Sequence, residues 1–101
     1  MNILPFILLW VTFLFSFQED TFKKKREAMV LQTIEGRGVQ DKAVLSSMKT
    51  VKRHLFVPEN NVPNAYEDRP LSIGYGQTIS QPFIVAYMTE AIDPKPGYKV
   101  L

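Results

Sequence analysis

The sequence of 101 residues has room for one small domain, and its formal net charge at pH 7 is +2. This charge is too small to indicate a nucleic-acid-binding protein, so no nucleic-acid partner is expected. The chain has no cysteine, which excludes disulfides, thiolate metal ligands and a cysteine nucleophile. It has a single histidine, His54, so a multi-histidine metal site is excluded and no metal is expected.

An apolar run from Ile3 to Phe17 contains no charged residue. It is shorter than the ~20 residues of a transmembrane helix, and its length suits the apolar region of a secretory signal. No Lys or Arg precedes it, and the basic cluster 23–26 follows it instead. We therefore predict an apolar signal peptide or membrane anchor over residues 1–18, with possible membrane contact through residues 3–17, and a domain over residues 19–101. A cleaved signal predicts a periplasmic or secreted protein. An inward-facing anchor predicts a cytoplasmic domain. A mis-assigned start codon and a structural apolar helix are the remaining alternatives.

Two helices are predicted in the first half of the domain. The first runs from Glu19 to Glu35, with either Ala28 and Leu31 or Val30 and Ile34 on its buried face. Its basic cluster is most simply a solvated helix face, and a membrane-surface role is the alternative. The sequence 36–38, Gly-Arg-Gly, breaks this helix. Asp41 is predicted to cap a second helix over residues 42–48, with positions 44, 45 and 48 on one face.

The second half of the domain is predicted to be a loop, a small hairpin and a third helix. Prolines and asparagines indicate a loop over residues 58–70. The stretches 71–73 and 77–79 are short strand candidates on either side of a glycine turn. Pro82 suits the first turn of a helix whose apolar stripe would be Ile84, Val85, Met88 and Ile92. The helix is expected to end within residues 93–97, and residues 98–101 begin a β-like run.

Ser80 is the most prominent candidate for chemistry, because it lies two residues before Pro82 at the predicted helix start. Its spacing alone favours a helix cap, since a serine nucleophile needs an adjacent base and His54 lies 26 positions earlier. His54 itself is most simply a packed core residue. The charged group Glu67, Asp68 and Arg69 is most simply a solvated loop.

A series of motifs carries a family resemblance. In chain order they are Gly36-Arg37-Gly38-Val39-Gln40-Asp41, Val44-Leu45 with Met48, Arg53-His54-Leu55-Phe56-Val57-Pro58, Ala65-Tyr66 with Asp68, Pro70-Leu71, Ile73-Gly74-Tyr75-Gly76-Gln77-Thr78-Ile79-Ser80-Gln81-Pro82, Ile84-Val85-Ala86, Met88-Thr89-Glu90 and Pro96-Gly97. The series resembles the N-terminal part of the protein-L-isoaspartate (D-aspartate) O-methyltransferases. The resemblance covers roughly residues 28–101, and its Gly-Gln-Thr-Ile-Ser-Gln-Pro core is highly specific.

The resemblance implies a fold, an activity and a set of site residues. The fold would be an α/β Rossmann-like S-adenosylmethionine-dependent methyltransferase, of which this chain holds the mainly helical N-terminal part, a short β-hairpin and the start of the first sheet strand. The reaction would transfer a methyl group from S-adenosyl-L-methionine to the carboxyl of isoaspartyl or D-aspartyl residues in damaged proteins. The family's active-site serine falls on Ser80. Gln77, Thr78, Ile79 and Ser80 would contact the cofactor, and Thr78, Ser80 and Gln81 the substrate.

The resemblance also implies isoaspartyl-containing proteins and peptides as partners, and a monomer is expected. In the family the strand that begins near residue 98 leads into the cofactor's glycine-rich loop, so we expect a chain truncated before that loop and inactive on its own. The alternative is a membrane-anchored helical module that binds isoaspartyl protein without transferring methyl groups.

Overall fold

The structure is a computed structural model that describes residues 21–100. The predicted signal peptide or anchor over residues 1–18, the first-turn residues Glu19 and Asp20, and Leu101 lie outside the described residues. Within the described range, no helix is both long and apolar enough to cross a membrane. The architecture is mainly helical, with one two-stranded antiparallel sheet.

The first helix, α1, covers residues 21–29 and continues as a π-helical turn, Val30–Ile34, and a 3₁₀ turn, Glu35–Arg37. Gly38 ends it with φ of 107°, a conformation that glycine adopts without steric cost. Of the two faces predicted for this helix, Val30 and Ile34 are the buried one, whereas Ala28 and Leu31 are exposed. The helix is therefore confirmed where it is described, and its π turn was not foreseen.

The second helix, α2, spans Lys42–Thr50. Asp41 is its N-cap, and the Asp41 carboxylate accepts a hydrogen bond from the Val44 N–H at 3.0 Å. Val44 is buried, and Leu45 and Met48 pack against the same core. The predicted cap and buried face are both confirmed, and the helix extends two residues beyond the predicted end at Met48.

Short 3₁₀ helices fill much of the segment that was predicted as mixed structure and loop. They span Arg53–Phe56 and Glu59–Asn64. The second one is part of the predicted loop over residues 58–70, so that prediction was wrong for these six residues. A 3₁₀ helix uses i to i+3 hydrogen bonds, and Pro63 occupies a position in it that donates none, because proline has no N–H.

The third helix, α3, spans Pro82–Ile92 and packs against α2 and the π turn. Pro82 stands in its first turn, as predicted, and Asp93 ends it in a left-handed conformation with φ of 46°. The predicted apolar stripe is not the buried side of α3, because Val85, Met88 and Ile92 are exposed. The buried residues of the helix are Pro82 and Ala86. The small Ala86 side chain lets the helix approach the core closely.

The core lies between α1 with its π turn, α2, α3 and the turn around residue 65. Its buried members are Met29, Val30, Ile34, Val39, Val44, Ala65, Tyr66 and Ala86. Residues 98–100 do not form the predicted strand. A strand requires a neighbouring strand for its hydrogen bonds, and among the described residues the two-stranded sheet does not reach this segment.

Candidate functional site

The candidate site is built on the predicted hairpin, which the structure confirms. Strands β1, Leu71–Gly74, and β2, Gln77–Ile79, pair antiparallel, with Leu71 opposite Ile79. The two-residue turn has positive φ at both Tyr75 and Gly76, as primed hairpin turns of type I′ require. The register shifts between Ser72 and Gly74, so the hairpin carries a β-bulge.

The site residues on the hairpin differ in burial. Ile79 is half-buried opposite the buried Leu71, whereas Gln77 and Thr78 are exposed. Ser80 follows the strand and is also exposed, and Gln81 is half-buried at the N-cap of α3. The five predicted residues, 77–81, thus form the continuous segment between the hairpin turn and α3. Within residues 21–100, the Ser80 hydroxyl makes no hydrogen bond with another residue.

The expectation that Ser80 caps the third helix was wrong. Gln81 is the N-cap residue, and its side chain makes no capping hydrogen bond. The Phe83 N–H in the first turn instead donates to the Asp68 carboxylate at 2.9 Å. Ser80 lies one residue too early for its hydroxyl to act as the ordinary N-cap acceptor.

Asp68 is therefore a site residue that sequence reasoning missed. Its side chain is only 14% exposed and forms an ion pair with Arg37 at 2.9 Å. The Arg37 guanidinium also lies over the Phe83 ring, 3.9 Å from its centroid. The interpretation of Asp68 as part of a solvated loop was wrong. The exposed pair Glu67 and Arg69 fits that interpretation. The signal available in the sequence was the motif that places Asp68 two residues before Pro70.

An apolar cleft of about 150 Å³ opens beside Ile79. Its walls are Met29, Met48, Val51, Arg53, Phe56, Ile79 and Val85. Arg53 is buried, and its Nε–H donates to the Ala65 carbonyl at 2.7 Å. Its Nη2 is buried without a hydrogen-bond partner. Burial lowers the pKa of Arg53 from its ordinary value, an effect that the charge of Asp68 and Tyr66 partly opposes.

His54 belongs to a buried polar cluster next to this cleft, as predicted. The His54 Nδ1 and the Tyr66 hydroxyl are 2.8 Å apart, and the Arg26 Nη1 donates to the same hydroxyl at 2.9 Å. The His54 ring stacks on Phe22, with 4.0 Å between the ring centroids. These contacts give His54 a structural role. Across residues 21–100, no group of three or more His, Cys, Asp or Glu side chains could hold a metal ion.

Comparison with known proteins places this geometry in a family. Residues 24–101 match the model of the protein-L-isoaspartate(D-aspartate) O-methyltransferases. A protein-L-isoaspartate O-methyltransferase of Picosynechococcus sp. is 59% identical over 76 residues, which are 75% of this chain and 34% of the relative. That of Methanoculleus marisnigri is 51% identical over 84 residues, covering 83% of this chain and 38% of the relative. That of Gloeobacter violaceus is 59% identical over 73 residues, covering 72% and 36%.

These matches define the class as S-adenosylmethionine-dependent methyltransferases, with the α/β fold of that class. The chain belongs to the protein-L-isoaspartate(D-aspartate) O-methyltransferase family. It spans about a third of the length of the curated relatives that it matches. The described residues correspond to a mainly helical part of that fold with one hairpin.

Proposed function

We propose that this chain supplies the acceptor-side wall of a protein-repair methyltransferase. The reaction is the transfer of a methyl group from S-adenosyl-L-methionine to the free carboxyl of L-isoaspartyl and D-aspartyl residues in damaged proteins. The observation that carries the proposal is the family match over residues 24–101, which includes the whole segment from the hairpin to α3. No observation favours the alternative of a non-catalytic binding module.

The residues of the hairpin fit the cofactor that the family uses. Gln77 and Thr78 present exposed uncharged polar groups, and Ile79 presents an apolar side chain beside the cleft. A cofactor with an aromatic adenine ring, a sulfonium centre and polar amino-acid and ribose groups matches such a mixed surface. When bound, it supplies an electrophilic methyl group on a sulfonium. Gln77, Thr78, Ile79 and Ser80 are the residues proposed to contact it.

The acceptor needs little activation by the protein. An aspartyl-type carboxyl has an ordinary pKa of about 4, so it is ionised and nucleophilic at neutral pH. This agrees with the structural role of His54, whose Nδ1 faces the Tyr66 hydroxyl rather than the hairpin. What remains for the chain is to bind and orient the carboxylate and to exclude water.

Ser80 is proposed to orient that carboxylate. Its hydroxyl is exposed and makes no hydrogen bond within the described residues, so it can donate to a carboxylate oxygen without breaking an existing contact. Thr78 and Gln81, on either side along the chain, are proposed to contact the peptide around the isoaspartyl residue. The methyl ester then closes to a succinimide with loss of methanol, and hydrolysis returns part of the product to normal aspartate.

The partners proposed are isoaspartyl-containing proteins and peptides, and the protein is proposed to act as a monomer. Its location follows from residues 1–18. A cleaved signal would place the enzyme in the periplasm or outside the cell, and retention of the segment would allow membrane contact through residues 3–17. N-terminal sequencing of the expressed protein distinguishes these two outcomes, because cleavage would give a new N-terminus near residue 18.

The test of the activity uses a chimera in which residues 24–101 replace the matching part of the Picosynechococcus relative, which is 59% identical to this chain over 76 residues. We expect this chimera to transfer methyl groups to an isoaspartyl peptide. Ser80→Ala should lower kcat/KM, mainly through kcat, by roughly 100- to 1,000-fold, the range found when one oxyanion-hole donor is removed. Its midpoint of thermal unfolding should stay near that of the parent chimera, since Ser80 is exposed and caps nothing.

The matched control is Ser46→Ala, which removes the hydroxyl of an exposed serine on α2. It should leave kcat/KM unchanged. An inactive parent chimera that is folded would contradict the proposed activity. An active chimera in which Ser80→Ala and Ser46→Ala behave alike would contradict the role of Ser80 alone.

A further inference from the structure

The Asp68 carboxylate joins three parts of the chain that are distant in sequence. One oxygen, Oδ1, accepts the Phe83 N–H at 2.9 Å. The other, Oδ2, pairs with the Arg37 Nη1 at 2.9 Å. The Asp68 side chain is 14% exposed and that of Arg37 is 50% exposed, so solvent still screens part of this pairing.

Arg37 and Phe83 also contact each other directly. The guanidinium lies over the Phe83 ring at 3.9 Å from its centroid, a cation–π geometry. Asp68, Arg37 and Phe83 therefore form a closed triangle, in which each residue contacts the other two. Such a triangle restrains the start of α3 more than a single hydrogen bond would.

The position of Phe83 explains what the triangle controls. A helix leaves the N–H groups of its first turn without intrahelical partners, and these normally bond to a side chain of the N-cap residue. In α3 neither Ser80 nor Gln81 does this, and the acceptor comes from Asp68, 15 residues earlier. Asp68 thus supplies the first-turn acceptor that the residues at the helix start do not supply.

We propose that Asp68 is a positioning residue for the candidate site. It caps α3 from a distance and, together with Arg37, fixes the backbone from Ile79 to Phe83. This restraint holds the exposed Ser80 hydroxyl at the junction between β2 and α3, where a carboxylate ligand can reach it. The ligand's identity rests on the proposed function, whereas the positioning of the backbone does not.

The first experiment follows backbone amide signals by ¹H–¹⁵N NMR in the 101-residue chain. Asp68→Ala should move the signals of Ser80, Gln81 and Phe83, and the Phe83 amide should exchange with solvent at least tenfold faster. Asp68→Asn keeps an oxygen that can accept from Phe83, so it should restore most of the protection. Glu67→Ala, next in the chain and exposed, should change none of these signals.

A second variant keeps the inference testable if Asp68→Ala fails to fold. Arg37→Gln removes the ion pair and the cation–π contact but leaves the Asp68 carboxylate in place to cap α3. It should move the Ser80 and Gln81 signals, but less than Asp68→Ala does. If Asp68→Ala is unfolded, the comparison is with the signals of an unfolded chain. The Phe83 amide should stay protected from solvent exchange. Unmoved Ser80 and Gln81 signals in a folded Asp68→Ala chain would overturn the inference, and so would unmoved signals in the Arg37→Gln chain.

The second experiment measures methyl transfer in the chimera described above. Asp68→Ala should raise KM for the isoaspartyl peptide and lower kcat, and Asp68→Asn should recover most of both. A folded parent chimera without activity would count against the proposed function and leave the NMR result standing. An active chimera whose kcat and KM are unaffected by Asp68→Ala would overturn the positioning role.

Discussion

Tyr75 is the residue that the hairpin places under most conformational strain. Its φ of 57° lies in the left-handed region, where an L side chain costs about 1–2 kcal/mol, and its side chain is fully exposed. Asparagine tolerates this conformation, and Asn-Gly is the favoured pair for a type I′ turn. We expect Tyr75→Asn to raise the free energy of unfolding by about 0.5–1 kcal/mol, measured by urea denaturation.

The control for this change is Tyr98→Asn, which replaces an exposed tyrosine outside helices and strands. It should leave the free energy of unfolding nearly unchanged. If Tyr75→Asn lowers stability, the Tyr75 ring makes a stabilising contact in solution, and the hairpin tip is not the strained, solvated turn described here.

Ser80 shows how far residue-level prediction from the sequence could go. Its place in the family motif identified it as a site residue, and its distance from Pro82 suggested a cap. The cap depended on which acceptor reached the Phe83 N–H, and that acceptor comes from Asp68, 15 residues away. Local spacing contains no information about such a contact, so the predicted cap was wrong, and the role of Ser80 in the site stays a prediction.

At the scale of elements, α2 offers a direct test of local capping. The Asp41 carboxylate accepts from the Val44 N–H at 3.0 Å. Asp41→Ala should therefore lower the free energy of unfolding by about 1 kcal/mol, since it leaves a first-turn N–H without its acceptor. Asp41→Asn retains an acceptor oxygen and should lose much less. Thermal unfolding followed by circular dichroism measures both changes.

Glu59→Ala is the comparison for Asp41→Ala, because it removes an exposed acidic side chain that makes no side-chain capping bond. Equal losses for the Asp41 and Glu59 variants would show that the cap contributes no more than a surface charge. A loss specific to Asp41→Ala would confirm that α2 begins where its local sequence predicts.

Elements with strong local signals were predictable, and the others were not. The cap at Asp41, the turn at Tyr75-Gly76 and the proline at residue 82 each fix a start or a turn by short-range chemistry. The buried face of α3 is different, because it is set by what packs against the helix. Ala86 is buried there because its small side chain lets α3 pack closely against the core. Hydropathy alone predicted the larger Val85 and Met88 on the buried face.

At the scale of the whole molecule, contacts between distant residues decide how the site is held. Glu90 on α3 accepts hydrogen bonds from the Gln40 and Asp41 N–H groups, both at 2.8 Å. Arg26 reaches Tyr66 across 40 residues. These contacts join α3 to the start of α2 and α1 to the turn at Tyr66, and no periodicity in the sequence predicts them. The family motif identifies the residues of the site but does not show the long-range contacts that position them.

The two sides of α3 give the sharpest test of this arrangement. Ala86 is completely buried in the core, whereas Met88 is 61% exposed. Ala86→Asp would bury a carboxylate without a partner, which costs several kcal/mol and should unfold the chain. Met88→Asp places the same charge in solvent and should change the free energy of unfolding by no more than about 0.5 kcal/mol. Circular dichroism of the two variants at increasing urea concentration measures the contrast.

If Met88→Asp lowers the free energy of unfolding as much as Ala86→Asp does, the exposed side of α3 is covered in solution. If the apparent mass of Met88→Asp on size-exclusion chromatography also falls below that of the unchanged chain, the covering partner is a second copy of the chain. The prediction of a monomer would then be wrong.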